Sequence, residues 1–144
     1  MAQFTEADVQ IALVDDEADI RDIIQGILID EGVAPERITQ FRNGGEAMDA
    51  LRQNGLEGIA SGRRPAIVLQ DGKCGGGVTG VEVTQAIRDE QDKEEQATGS
   101  RRNVYVIAVT AESNMTYGDE KIQKPFNLTD LLDAVDRGKQ AVLA

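Results

Sequence analysis

The sequence predicts an α/β fold, a doubly wound parallel sheet of five strands with helices on both faces. Two observations predict it. Strand-like and helix-like segments alternate five times along 144 residues, the order expected of a parallel sheet with crossover helices. Three of the strand segments are short and nearly all apolar, as suits strands buried on both faces.

The elements follow in order. Residues 1–8 are a polar lead-in. Residues 9–14 form a first strand that ends at Asp15-Asp16-Glu17. A helix over residues 19–31 carries Ile20, Ile23, Ile24, Ile27 and Leu28 at helical spacing, one apolar stripe, and Gly32 ends it. Residues 37–41 are a short second strand. Asn43-Gly44-Gly45 reads as a turn before a helix over residues 46–53, with Ala47, Ala50 and Leu51 facing inward. After a long connection, residues 66–71 form the third strand. They end in Asp71, beyond which comes a glycine-rich run to Gly80.

A third helix over residues 81–95 packs through Val83, Ala86 and Ile87, while its polar second half is expected to project into solvent or fray. Residues 104–109 are the fourth strand and end at Thr110. Residues 121–123 are a minimal fifth strand followed by Lys124-Pro125-Phe126. The last helix starts at Asn127, an N-cap with Asp130 three residues on, and packs through Leu128, Leu131, Leu132 and Val135.

Composition narrows the function. The length and 40% hydrophobic content fit one domain. No apolar run is long enough to span a bilayer, and no signal peptide is apparent. A single cysteine, Cys74, makes no internal disulfide, which fits a cytoplasmic protein. The net charge of −11 argues against nucleic acid as a partner. There is no histidine, which removes Ser-His and Cys-His nucleophile pairs.

In open α/β sheets chemistry collects beyond the carboxyl ends of the strands. Here Asp15 and Asp16 follow the first strand, Asp71 ends the third, Thr110 the fourth, and Lys124 follows the fifth. Carboxylates converging in one crevice repel one another unless a cation lies between them. Oxygen-only ligation favours a hard ion, Mg²⁺ first. A lysine and a hydroxyl beside it suit a phosphoryl group.

These residues resemble the receiver domains of two-component response regulators. The resemblance rests on Leu13-Val14-Asp15-Asp16-Glu17, Pro65-Ala66-Ile67-Val68-Leu69-Gln70-Asp71, Gly80-Val81-Glu82-Val83, Val106-Ile107-Ala108-Val109-Thr110-Ala111 and Lys124-Pro125-Phe126. These pieces stand in family order over nearly the whole chain. The resemblance implies a flavodoxin-like sheet of order 2-1-3-4-5 and a single receiver domain over residues 1–144 without an effector domain. It also implies that Asp71 accepts a phosphoryl group from a histidine kinase or histidine phosphotransfer protein. Asp15, Asp16, Asp71 and the Lys73 backbone carbonyl would hold Mg²⁺, Thr110 and Lys124 would meet the phosphoryl oxygens, and the Lys124-Pro125 bond would be cis. Such a protein is a signalling phosphoacceptor that assists its own phosphorylation and dephosphorylation, not an enzyme with a diffusible product. It acts by phosphorelay or on a downstream protein target.

Several features depart from the family. No Met-Pro follows Asp71, and the loop to Gly80 is one residue longer. It is expected to move until metal or phosphate binds. Thirteen residues separate Thr110 from Lys124, so the family's fourth helix is expected to be short or missing. Met115 and Tyr117, or a second copy in a homodimer, would then cover the fourth strand. Lys121 replaces the usual aromatic switch residue, for which Tyr105 or Tyr117 could substitute. The alternative reading is a phosphate-independent pseudo-receiver that binds proteins. An aspartyl-phosphate phosphatase fits less well, because such enzymes carry their nucleophile after the first strand with a second acid two positions on. The arginine pairs Arg63-Arg64 and Arg101-Arg102 precede strands that should be neighbours, and a basic patch for an acidic partner is expected there.

Overall fold

The computed structural model describes residues 4–73, 77–111 and 117–144. Among them, strands β1 (Gln10–Val14), β2 (Ile38–Phe41), β3 (Ala66–Asp71), β4 (Val104–Thr110) and β5 (Glu120–Gln123) form one sheet in the order β2-β1-β3-β4-β5. Every pairing is parallel. The helices are α1 (Ala18–Asp30), α2 (Gly44–Asn54), α3 (Gly80–Thr98) and α4 (Leu128–Leu143). No helix is long and apolar enough to cross a membrane. The expected topology is thus observed.

Each face of the sheet carries its own apolar core. Ala12, Val14, Val68 and Val106 pack on α2 and α3 through Ala47, Leu51, Val83 and Ile87. Ile11, Leu13, Ile67, Leu69, Ile107 and Val109 pack on α1 and α4 through Ile24, Leu28, Leu131 and Val135. Residues alternate between faces along each strand, as the two-residue period requires. Fully burying each such aliphatic side chain contributes about 1.5–3 kcal/mol.

The caps explain most of the shifted boundaries. The Asn43 side chain accepts from the Glu46 N–H at 2.8 Å, so α2 begins at Gly44, inside the expected turn. Thr79 and Glu82 form a reciprocal capping box that starts α3. Asn127 caps α4 by accepting from the Asp130 N–H at 2.8 Å, as the sequence suggests. A short 3-10 turn over Pro35–Arg37 delays β2 to Ile38.

Three expectations need correction. In α1 the buried residues are Arg21, Ile24 and Leu28, whereas Ile23 is 58% exposed. Ile20 and Ile27 are partly buried against the same core, so the expected stripe holds except at Ile23, and buried Arg21 joins its edge. The polar half of α3 does not fray: it is helical to Thr98, mostly solvent-facing beyond Gln91, and ends at Gly99 in the left-handed region. Gln91 is buried there, and its amide donates to the Arg102 carbonyl at 2.8 Å.

The arginine pairs do not form a basic patch. The Arg102 side chain is 2% exposed and lies 2.6 Å from Glu57 and 2.8 Å from Glu94. Arg101 pairs with Asp92 and Glu95, Arg63 lies 3.8 Å from Glu94, and Arg64 donates to the Ser61 carbonyl. The cations are consumed within the chain.

Between β4 and β5, Tyr117, Gly118 and Asp119 are not helical and Glu120 already belongs to β5. Tyr117 lies beside Gln70 and Gly80. The Asp119 carboxylate accepts from the Val106 N–H at 2.7 Å, capping the part of β4 that short β5 leaves unpaired. The expectations for Cys74, Met115 and the middle of the glycine-rich loop fall outside the described residues.

Candidate phosphoryl and metal site

The site residues are delivered by strand ends. The Asp15 N–H donates to the Phe41 carbonyl at 3.3 Å, extending the β1–β2 pairing by one residue. Asp71 closes β3 opposite Val109. The Lys124 N–H donates to the Thr110 carbonyl at 2.8 Å, so Lys124 stays in line with β4 after β5 ends. The Lys124-Pro125 peptide bond is cis.

Asp15, Asp71 and Thr110 are buried, and Asp16 is exposed. The Lys124 ammonium lies 3.3 Å from Asp15 Oδ2 and 3.3 Å from Asp71 Oδ1. Asp15, Asp16 and Asp71 each offer an oxygen within 4.8 Å of the others. The Glu17 N–H donates to Asp15 Oδ1 at 2.9 Å, and the Lys73 N–H donates to Asp71 Oδ1 at 3.4 Å. Asp16, Asp71, Lys73, Thr110 and Lys124 line a cavity of about 280 Å³. All six sequence-predicted site residues are therefore at one place.

The charges are unbalanced. Burial and the neighbouring Asp15 carboxylate push the Asp71 pKa above the ordinary aspartate value, and Lys124 offsets only part of this. Burial would lower the Lys124 pKa, but Asp71 and Asp15 outweigh it and hold the ammonium more firmly protonated than usual. The Lys124 ammonium against three clustered carboxylates leaves a place for a divalent cation. Three carboxylate oxygens, with no sulfur or imidazole beside them among the described residues, fit Mg²⁺ by donor type.

Sequence reasoning missed some supports of the site. Buried Arg21 donates to the Asp15 carbonyl at 2.6 Å and to Gln40 Oε1 at 3.0 Å. Its spacing from Ile24 and Leu28, at i+3 and i+7, was the available signal. Gln70 is fully buried inside β3, and a glutamine within an apolar run was likewise a signal.

Solved structures with a similar fold include receiver domains. The CheY-like response regulator receiver domain protein from Methanospirillum hungatei is 23% identical, with a TM-score of 0.61 and 94% of each chain covered. The fold is that of a receiver domain. The receiver domain of a signal transduction histidine kinase from Syntrophus aciditrophicus is 20% identical, with a TM-score of 0.68, over 92% of this chain and 91% of that one. Vibrio cholerae chemotaxis protein CheY4 is 20% identical, with a TM-score of 0.62, over 90% of this chain and 97% of that one. No protein-family model and no curated protein sequence matches the chain. The receiver fold places Asp15, Asp16, Asp71, Thr110 and Lys124 at the carboxyl edge of its sheet, where such open sheets bind ligands.

Proposed function

We propose that this chain is a response-regulator receiver that accepts a phosphoryl group on Asp71 in a Mg²⁺-dependent reaction. The observation that carries the reading is the single Lys124 ammonium held between Asp15 and Asp71 at the strand ends. An Asp71 carboxylate oxygen forms the new P–O bond as the P–N bond of a phosphohistidine breaks, and the imidazole nitrogen keeps the electron pair. Asp15, Asp16, Asp71 and the Lys73 carbonyl would hold Mg²⁺, which when bound neutralises charge on the phosphoryl oxygens. The Thr110 hydroxyl donates to one of those oxygens, and Lys124 pairs with another.

The donor is a histidine kinase or a phosphotransfer protein. An apolar groove of about 410 Å³, lined by Ile20, Ile23, Pro125 and Phe126, adjoins Lys124 and suits its docking. The output is a change in protein–protein contacts. A second reading, a phosphate-independent binding module, is favoured by Lys121 at the usual position of the aromatic switch.

Intact-protein mass after incubation with acetyl phosphate and Mg²⁺ tests this. One added phosphoryl group is expected, lost with EDTA and in Asp71→Asn. No adduct, together with no binding of beryllofluoride, would move the assignment to the binding module.

A further inference from the structure

β3 runs past β1 at the site. The last β1–β3 pair is Val14 with Gln70, and Asp71 is paired with β4 alone. Side chains hold the peptide groups on both sides of the Asp71 Cα. The buried Gln70 side chain donates its amide N–H to the Asp71 carbonyl at 3.0 Å. The Tyr117 hydroxyl donates to the Gln70 carbonyl at 2.6 Å. Its phenol is seated over Gly80, where a Cβ would come within 2.6 Å of the Tyr117 oxygen and 2.8 Å of the Asp71 carbonyl.

On the carboxylate side the restraints are weaker. The Lys73 N–H is 3.4 Å from Asp71 Oδ1, and Lys124 is a point charge on a flexible stem. Neither fixes a direction of approach. In-line attack on phosphorus needs that direction, and misplacement by about 1 Å can cost about a hundredfold in rate. The direction of the Asp71 Cα–Cβ bond is set by the two flanking peptide planes, and Tyr117 adds a side-chain bond to the one between Gln70 and Asp71, which the β3–β4 pairing also holds.

Resting on the reading that Asp71 is the phosphoacceptor, we propose that Tyr117 is a positioning residue for it. Its hydroxyl aims the Asp71 carboxylate through the Gln70 carbonyl, and it touches neither the phosphoryl group nor the metal.

Tyr117→Phe removes one oxygen and keeps the ring, so the fold is retained. With acetyl phosphate and Mg²⁺, the maximal phosphorylation rate is expected to fall about tenfold, with the half-saturating acetyl phosphate concentration unchanged. The urea midpoint should fall by no more than about 0.5 M, the share of one lost hydrogen bond to a buried carbonyl. Tyr105→Phe is the control: that hydroxyl donates to Glu120 at 2.7 Å, outside the site, and the rate should not change. A wild-type rate in Tyr117→Phe would overturn the positioning role alone. So would a slower rate accompanied by weaker saturation and a midpoint lowered well beyond that one bond, the mark of general loosening. Absence of any adduct on the wild-type protein would overturn the phosphoacceptor reading, and this inference with it.

Discussion

Replacing Arg102 with methionine separates a structural clip from a docking surface. The Arg102 side chain is 2% exposed and donates to Glu57, to Glu94 and to the carbonyls of Ala60 and Arg64. Methionine fills similar volume and cannot donate. Glu94 is 18% exposed and loses a charge-assisted partner, which costs about 1.5–2 kcal/mol. The buried Ala60 carbonyl loses its donor, about 1 kcal/mol more. Glu57 is 46% exposed and largely rehydrates, so its pair contributes only a few tenths of a kcal/mol, about the low end for exposed pairs. The sum is about 3 kcal/mol, which predicts a urea-midpoint drop of about 1.5 M for a slope near 2 kcal/mol/M. The slope itself should not change.

This deficit also has a pH dependence. Burial pushes the Glu57 carboxyl up, but hydrogen bonds from Arg102 and from the Arg63 and Gly62 N–H groups outweigh it and lower its pKa. A lowered folded pKa contributes stability above the unfolded value that is lost as pH falls through the folded one. The gap between wild type and Arg102→Met should therefore narrow in acid. A drop below about 1 kcal/mol at neutral pH, the range of an exposed pair, would refute the buried-clip argument and return Arg102 to the surface.

Other outcomes follow from the charge at the strand ends. Asp71→Asn should raise the melting temperature at pH 7 without metal, because the folded Asp71 pKa is raised and its ionised form is disfavoured. That advantage should disappear as pH falls through the folded Asp71 pKa and wild type becomes neutral there, and calorimetry against pH reads it. Lys124→Met should bind Mg²⁺ roughly tenfold more tightly, since a competing cation 3.3 Å from two ligand carboxylates is gone. It should also take up phosphate more slowly; titration calorimetry and intact mass report the two effects. Gly80→Ala should lower stability by about 1–3 kcal/mol, because its Cβ meets the Asp71 backbone carbonyl at 2.8 Å. A urea melt checks this.

How much of this was legible in the sequence depended on the kind of interaction. The sheet was readable because β1, β3 and β4 are buried along nearly their whole length, and burial on two faces writes continuous apolar runs. The site was readable because its groups stand at strand ends, where a polar residue breaks such a run. The place of Arg21 on the inward face of α1 was not, since a buried arginine looks polar to any hydrophobic periodicity. The straightness of α3 was hidden likewise, because Gln91 and Glu94 are held by a partner outside the helix. Backbone carbonyl acceptors carry no residue signature at all, so the Tyr117–Gln70 contact emerges only from coordinates.

The two ends of the sheet handle charge in opposite ways, and that contrast carries the functional argument. At the amino end, the arginines before β3 and β4 meet carboxylates from α3 and from the turn after α2, and Arg102 is sealed among them. Charge there is balanced, and its work is structural. At the carboxyl end, Asp15 and Asp71 are buried beside Asp16 with one lysine between them. Folding alone does not favour that arrangement: a buried carboxylate near another costs stability, which is why the Asp71 pKa is raised. Local rules are broken in native proteins chiefly where function requires it. An excess of negative charge beside a firmly protonated lysine has a chemical use when a divalent cation and a phosphoryl dianion arrive together. On the proposed reading the cation would offset the carboxylates, and the lysine with Thr110 would offset the phosphoryl oxygens. A divalent cation offsets the carboxylates that would repel an entering phosphoryl dianion, so metal and phosphoryl group should each tighten the binding of the other.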